Sequence, residues 1–349
     1  MRDNGVTISK GIAIILMVLG HAGCPTLINN YLGMIRMPLF FFMSGYCFKE
    51  KYLDIPYPYI KRRITGIYWP YLKWSLFFLI IHNLCVYVNI YSDEFGFHGR
   101  TSALYTTMDF LHHAISITTQ MKGHEQLLGG FWFLKSLFFG SFIFYVTRRV
   151  VSSPYISIPF LLALTVFLSY MNWRIPYFAI GARETLGALF LMVGHVYKTF
   201  HINIHHNNYF VLFAIVFVGI GSFYWLTSML SFTYINVVPY ALTSIIGTLA
   251  LFKVGIYIAN IEGSSISRFL NYVGGYTFNV LTWHFLSMKV VSLIIIHIYG
   301  LPIKQLSEFP VIESYAHNGW WIIYFIVGVS VPIAGTYIYH SVRVKNNNE

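Results

Sequence analysis

Lysine and histidine frame the first apolar stretch of the chain, KGIAIILMVLGH, at positions 10 and 21. On an α-helix a separation of eleven residues is about 1,100°, or three turns and roughly 20°, so Lys10 and His21 share one helix face about 16 Å apart. A neutral imidazole can take a proton from a hydroxyl near neutral pH, and a polar side chain inside lipid is costly. His21 is therefore the first functional candidate. The alternatives are a hydrogen-bonded core histidine and, for Lys10, a snorkelling anchor at the membrane border.

Three further polar side chains, Arg36, Glu184 and His284, are predicted in the central-to-outer half of other apolar segments. His284 lies about 18 Å into its segment, which is the level of His21. We expect these charged and polar groups to face inward and to pair, because facing lipid would be expensive. An arginine can hold a carboxylate or phosphate, or stabilise developing negative charge. Acyl transfer to an alcohol and proton-coupled transport both use such residues, so both functions remain open.

A basic cluster stands in YIKRRITGIYWPYLKW, where Lys61, Arg62 and Arg63 precede an aromatic segment. One interpretation is plain anchoring of a cytoplasmic segment at the membrane surface. The functional interpretation is a phosphate-binding patch, as a phosphate-rich carrier such as coenzyme A would require.

A third cluster stands in HEQLLGGFWFLKSL, which opens an apolar segment from its outer side. Glu125 and His124 lie just ahead of this segment and are expected to line an outer substrate entrance, and Trp132 and Lys135 stand at its start. A tryptophan at this position is also ordinary for the interfacial belt of a membrane protein.

The composition determines the kind of scaffold that must position these residues. The 349 residues are 56% hydrophobic and only 10% charged, whereas soluble domains contain about 25% charged residues. The long, continuous apolar runs favour transmembrane helices and argue against a β-barrel, whose strands would alternate. We expect an all-α, polytopic integral membrane protein that forms one domain over residues 1–349. His201, His205 and His206 lack nearby acids or cysteines, and we expect no metal site there.

About ten transmembrane helices are predicted, since each apolar run approaches the length needed to cross a bilayer. We place them at 8–27, 32–48, 66–91, 131–147, 155–171, 177–197, 208–228, 234–258, 272–298 and 320–340. With a cytoplasmic N-terminus, the outer loops hold only Arg100, Lys122, Arg174 and Lys304, and most other lysines and arginines lie inside. This asymmetry is the positive-inside pattern, and it predicts that both termini are cytoplasmic. The longest connection, about 92–130, is then external, and ALYTTMDFLHHAISITT within it could form an interfacial helix.

Several of these stretches together resemble the acyltransferase 3 family of membrane O-acyltransferases, especially its fucose 4-O-acetylase-like branch. The matching pieces are the spacing of Lys10 and His21, RMPLFFFMSGY at 36–46, the basic patch before WPYL, FWFL at 131–134 and GGYTFNVLTWHF at 274–285. They extend from the first predicted span to the ninth. One departure is that Gly66 follows Arg63 at the position where many members carry a second arginine.

The resemblance implies a ten-helix protein of the bacterial inner membrane that moves an acetyl group from acetyl-CoA to a sugar hydroxyl. The acceptor would be an envelope polysaccharide or its lipid-linked precursor. His21 would be the catalytic histidine and general base, supported by Arg36, with an acetyl-histidine relay as the alternative. Acetyl-CoA would bind near Lys10 and the cluster at 61–63, and Glu125, Trp132, Lys135, Glu184 and His284 would contact the substrate. No permanently bound cofactor is expected, and a proton-coupled transporter of a sugar or lipid-linked saccharide is the alternative function.

Overall fold

A computed structural model describes residues 3–96, 103–200, 209–261 and 263–346. Within these ranges the regular structure is helical, and one isolated β-bridge joins Ile175 to Ile180. The α-helices are α1 (Asn4–His21), α2 (Thr26–Tyr46), α3 (Lys51–Asp54), α4 (Pro56–Arg63), α5 (Trp69–Ile80), α6 (His82–Tyr87), α7 (Thr107–Gln120), α8 (Trp132–Val150), α9 (Pro154–Tyr170), α10 (Ala182–Thr199), α11 (Tyr209–Trp225), α12 (Val237–Ala259), α13 (Ser265–Gly275), α14 (Thr277–Tyr299), α15 (Glu313–Tyr315) and α16 (Trp321–Asn346). Arg2, Arg100, His201, His205 and His206 lie outside the described residues.

The helical, polytopic membrane architecture predicted from the sequence is confirmed. Among the described residues, five helical segments are long and apolar enough to cross a membrane: Asn4–His21, Gln126–Val150, Val237–Ala259, Thr277–Tyr299 and Glu313–Arg343. The helices α9 and α11 are apolar but shorter. Every one of the ten predicted segments contains helix, although a count of ten complete spans stays a prediction.

Several predicted boundaries differ from the structure, and local chemistry explains two of these differences. The first span was predicted to continue to residue 27, but α1 ends at His21, because Gly23 adopts a left-handed φ of 76° and Pro25 follows it. The sixth was predicted to begin at residue 177, but α10 begins at Ala182, where the Glu184 carboxylate accepts a hydrogen bond from the Gly181 amide.

The helix predicted within the longest connection is present as α7, and its interfacial, external position stays a prediction. Thr106 and Asp109 form a reciprocal capping box at its start, since the Thr106 amide donates to Asp109 at 2.8 Å and the Asp109 amide donates to the Thr106 hydroxyl at 3.3 Å. This hydrogen bonding lowers the pKa of Asp109 and keeps the carboxylate ionised at the helix start.

The chain divides into two compact units, each assembled from three stretches. The first unit comprises Met1–Ala13, Asn30–Tyr71 and Phe133–Gly274, and the second comprises Ile14–Asn29, Leu72–Trp132 and Gly275–Glu349. Helix α1 therefore contributes its first half to one unit and its second half to the other.

The core of the first unit contains aromatic and aliphatic side chains from α1, α2, α10 and α12, with Phe42 at its centre, packed against Tyr197 and Phe252. Helices α2 and α10 approach closely at Gly45 and Gly194. A Cβ atom at either glycine would lie within 2 Å of a backbone carbonyl oxygen of the other helix. Small residues at such a crossing are typical of membrane helix packing.

The second unit is organised around α14, which packs along α16 and beside the 3-10 segment Gln126–Phe131. A Cβ atom at Gly328 of α16 would lie 2.9 Å from both Met288 of α14 and Val18 of α1. The three helices therefore meet in one tightly packed layer, and this layer positions His21 and His284.

Candidate active site

His21 is the last residue of α1 and is half-buried in the second unit. The sequence AGCP that follows ends the helix, with Gly23 in the left-handed conformation. The imidazole therefore lies at the end of a helix that is long and apolar enough to cross a membrane.

His284 lies beside His21, with their ring centroids 5.6 Å apart. Its Nδ1 lies 3.1 Å from the carbonyl oxygen of Val280 and 3.0 Å from that of Leu281 on the preceding turn of α14. The depth match between these two histidines, predicted from the helix rise, is confirmed by this ring distance. Helix α14 begins at Thr277 rather than at residue 272, so the ring contact itself, and not the predicted depth of about 18 Å, is what places the two histidines together.

The hydrogen bonds of His284 assign its tautomer. Carbonyl oxygens only accept, so Nδ1 carries the proton and Nε2 carries the lone pair in the neutral ring. The ring is fully buried, and its Nε2 has no hydrogen-bond partner among the described residues. An unpartnered acceptor in an apolar surrounding is costly, so this atom is suited to receive a hydroxyl or amine from a ligand.

Aromatic rings and backbone surround the histidine pair. The ring of Phe285 lies 5.0 Å from His21 and 3.9 Å from His284. Gly130 of the segment LLGGF brings its backbone so close that a Cβ atom there would lie 3.0 Å from Leu281 and 3.9 Å from the His284 ring. The segment that the sequence analysis placed at an outer entrance thus lies directly against His284.

A buried lysine lies one helical turn beyond Phe285. The ammonium group of Lys289 donates to the carbonyl oxygen of Glu308 at 2.5 Å and lies 5.8 Å from the centre of the Phe309 ring. Phe309 in turn packs on Phe285 with ring centroids 4.5 Å apart. Lys289 therefore holds the backbone at Glu308 and the ring of Phe309, which packs behind the histidine pair through Phe285. Sequence reasoning missed this role.

Glu125 differs from its predicted place at an open entrance. Its carboxylate is buried, and one oxygen lies 3.1 Å from Nδ1 of His82. Nε2 of His82 lies 3.1 Å from the carbonyl oxygen of Ala103, and the ring stacks on Tyr105 at 3.5 Å. Because both ring nitrogens face acceptors, the geometry fits an imidazolium paired with a carboxylate. A buried carboxylate requires such a partner, which explains why it faces inward.

Glu184 belongs to the first unit and has a helix-capping role. Its Oε2 accepts from the Gly181 amide at 2.8 Å, and its Oε1 accepts from the Ser136 hydroxyl at 2.8 Å. It lies in the first turn of α10 rather than two turns into the helix, since that helix begins at Ala182.

The remaining predicted residues fall in both units. Lys10 and Arg36 are half-buried in the first unit, on α1 and α2, and Lys135 is half-buried there on α8. Trp132, at the start of α8, belongs to the second unit and is half-buried. The convergence of Arg36 and Glu184 on the histidine pair stays a prediction.

The basic cluster at 61–63 divides between two environments in the first unit. Arg62 donates to the Tyr52 hydroxyl at 2.7 Å and lines a cavity of about 310 Å³. Arg63 instead donates to Ser44 of α2 at 2.9 Å and lies over the Tyr59 ring at 4.7 Å. Lys61 is exposed, 6.0 Å from the centre of the Tyr57 ring.

Two cationic residues that sequence reasoning used only for orientation, Lys49 and Lys51, line the same cavity as Arg62. The intervening Glu50 is turned to other partners, since it accepts from His195 at 2.8 Å and from Arg148 at 3.3 Å. The alternation FKEKY is the signal that could have indicated the cavity.

Comparison with known proteins decides the family. The family described as an acyltransferase domain, acyltransferase 3, matches residues 3–340. The chain belongs to the acyltransferase 3 family. No curated protein and no solved structure matches it significantly. It is a membrane acyltransferase, and its substrates are therefore an acyl donor and an acceptor.

The family match covers both compact units of this acyltransferase, from the start of α1 into α16. It includes the histidine pair, the basic cavity and the segment LLGGF. Among the described residues, no three His, Cys, Asp or Glu side chains are arranged to hold a metal ion.

Proposed function

We propose that this acyltransferase moves an acetyl group from acetyl-CoA to a sugar hydroxyl of an envelope polysaccharide or its lipid-linked precursor. His21 acts as the general base. The fucose 4-O-acetylase-like branch is the part of the family that its sequence motifs resemble most. We place it in a bacterial inner membrane with both termini cytoplasmic, as one transmembrane acyltransferase domain.

The observation that carries this proposal is the pair of adjacent imidazoles in an apolar surrounding. Acyl transfer to an alcohol needs one group that takes the hydroxyl proton and one that orients the hydroxyl. His21, half-buried at the end of α1, suits the first task, since a neutral imidazole can take a proton from a hydroxyl. His284 suits the second, because its buried Nε2 can accept a hydrogen bond.

The proposed step balances as follows. The sugar oxygen attacks the thioester carbonyl carbon, its proton passes to His21, and the carbon–sulfur bond breaks. The coenzyme A thiolate leaves and recovers the proton from His21. Arg36 is proposed to stabilise the negative charge that develops on the carbonyl oxygen.

The donor is proposed to bind through the basic cavity at 49–62. Lys49, Lys51 and Arg62 line it, and phosphate groups bind well to such clustered cations. Arg63 is held by Ser44 and is expected to fix α4 against α2. Lys10 and Lys61 are expected to add attraction for the anionic donor.

The decisive test of the base is His21→Ala in purified protein, with radiolabelled acetyl-CoA and the cell-envelope glycan fraction as acceptor. We expect acetyl transfer to fall by about 10²–10⁴-fold, the usual contribution of general base catalysis. His297→Ala is the matched control, because His297 is an exposed histidine on α14. Retained transfer in folded His21→Ala protein would refute the assignment.

The donor site is tested by Arg62→Gln and Lys51→Gln, each compared with Arg63→Gln. The first two are expected to raise the KM for acetyl-CoA about tenfold with little change in kcat, since they remove attraction for phosphate. Arg63→Gln is expected to lower thermal stability more than affinity. An equal effect of all three on KM would argue against the cavity as the donor site.

Membership in an acyltransferase family favours the enzyme over the transporter. Consumption of acetyl-CoA without net sugar movement in proteoliposomes would agree with this choice.

A further inference from the structure

A cavity of about 350 Å³ lies in the first unit, apart from the basic cavity described above. It is lined by the connection between α9 and α10, the connection between α11 and α12, and the first turn of α10. In the orientation predicted from the sequence, both connections are external. Its volume falls in the range of small-molecule sites, roughly 300–1,000 Å³.

Aromatic side chains form one part of the lining. Tyr170, the last residue of α9, and Tyr234, in the connection between α11 and α12, have ring centroids 5.3 Å apart in a T-shaped contact. Trp173 is 51% exposed and lines the same cavity. Flat, partly exposed rings offer apolar faces beside polar groups, and the C–H faces of sugar rings stack on such surfaces.

Positive charge forms another part of the lining, through Arg174 and Arg183. The single acidic group of the lining, Glu184, has one oxygen bonded to the Gly181 amide and the other to the Ser136 hydroxyl. The connection between α11 and α12 supplies no carboxylate, histidine, lysine or arginine to the cavity. The guanidinium groups therefore leave the cavity with net positive charge.

The polar groups between rings and arginines suit hydroxyls. Ser169, Asn172 and Thr233 line the cavity, and each offers a donor or an acceptor. The backbone here is held tightly, since Ile175 donates to Ile180 at 2.8 Å and a Cβ atom at Gly181 would lie 2.9 Å from the Trp173 carbonyl oxygen. A site held in this way needs little ordering when a ligand binds.

We propose that this cavity binds a saccharide that carries a negative charge, either a carboxylate or a phosphate. Arg174 binds the anion, the aromatic rings stack on a sugar face, and the small polar side chains form hydrogen bonds with hydroxyls. The proposal stands on the cavity itself and does not depend on acetyl transfer by His21.

Interfacial anchoring is the competing explanation of a tryptophan and an arginine near a membrane surface. An anchor would bind anionic lipid headgroups and would be indifferent to sugars. The experiment therefore includes lipid as well as sugar probes.

Binding is measured by calorimetry on the full-length protein in zwitterionic lipid nanodiscs without acetyl-CoA. The probes are digalacturonic acid, glucose 1-phosphate and the neutral disaccharide lactose. We expect at least one anionic probe to bind, lactose to bind at least tenfold more weakly, and Arg174→Gln and Trp173→Ala each to weaken the anionic probe at least tenfold. Both side chains are exposed, so the variants are expected to fold.

Arg268→Gln and Tyr155→Ala are the matched controls, because they remove an exposed arginine and an exposed aromatic that do not line the cavity. Unchanged affinity in the cavity variants, equal affinity for lactose, or no binding of either anionic probe would overturn the proposal. So would binding of phosphatidylglycerol that Arg174→Gln abolishes, when no sugar probe binds. His21→Ala is expected to bind normally, which separates failure here from failure of the proposed reaction.

Discussion

Two histidines at opposite ends of one short segment, residues 125–130, differ in what their nitrogens contact. Near Glu125, the ring of His82 has an acceptor at each nitrogen, a carboxylate at 3.1 Å and a carbonyl oxygen at 3.1 Å. Near Gly130, the ring of His284 uses only Nδ1, and its buried Nε2 has no partner among the described residues. Both rings are fully buried, so burial alone does not distinguish them.

These contacts indicate which buried histidine can act on a substrate. A ring whose two nitrogens both donate has no lone pair to offer, and its charge stabilises the carboxylate beside it. A ring with one free acceptor can bind a hydroxyl. A carboxylate partner is often taken as the sign of a catalytic histidine. Here the histidine with the carboxylate partner is His82, and its role is structural.

The largest expected effect on activity comes from replacing His284, whose Nε2 is the unpartnered acceptor. We expect His284→Phe to lower kcat for acyl transfer by about 10²-fold, because the hydroxyl loses its orienting partner. The measurement is single-turnover transfer in purified protein. His82→Gln, corrected for folded protein, is expected to keep most of its kcat, and a 10²-fold loss there would reverse the assignment of the two rings.

The next effect concerns stability at the other end of the segment. Glu125→Gln leaves the buried His82 without its charge partner, and we expect a loss of about 3 kcal/mol in unfolding free energy. A thermal unfolding series in one detergent measures it, and the double variant with His82→Gln tests coupling. Additive losses in that double variant would contradict a direct pair.

A smaller effect is expected where the segment touches α14. In Gly130→Ala the new methyl group would press on Leu281 at 3.0 Å and reach within 3.9 Å of the His284 ring. We expect about a tenfold loss of kcat from a shift of this ring. Gly66→Ala is the control, because nothing lies within 4 Å of a Cβ atom there. Full activity of Gly130→Ala would show that the ring tolerates displacement.

The smallest effect concerns pH and the histidines of α7. Burial, together with the neighbouring His112, lowers the pKa of His113, so the folded protein favours its neutral ring. Stability from this group is present above its usual pKa of about 6.5 and is lost as the pH falls below it. We expect His113→Gln to flatten the decline of the melting temperature between pH 7 and pH 5. An unchanged slope would assign the decline to other groups.

Some features of the fold were predictable from the sequence because they depend only on residues that are neighbours along the chain. Helix rise placed His21 and His284 at one depth, and apolar composition predicted a helical membrane protein. The end of α1 at His21 was also readable, since Gly23 and Pro25 stop a helix. The capping role of Glu184 is of the same kind, because a glutamate three residues into a helix commonly caps it.

Other features depend on contacts between distant residues and were missed. His82 and Glu125 are separated by 43 positions, and nothing local pairs them. The cavity of Lys49, Lys51 and Arg62 depends on how α3 and α4 turn. Glu125 was predicted at an entrance because it lies just ahead of an apolar segment, and only the fold shows that it is enclosed.

The fixed tautomer of His284 has a consequence for inhibitor design. Because its N–H group is committed to carbonyl oxygens of its own helix, the ring presents an electron pair and no proton. A small molecule built for this position should offer the ring an amide N–H or a hydroxyl. Compounds that place an ether or ketone oxygen there should lose affinity through repulsion between the two electron pairs.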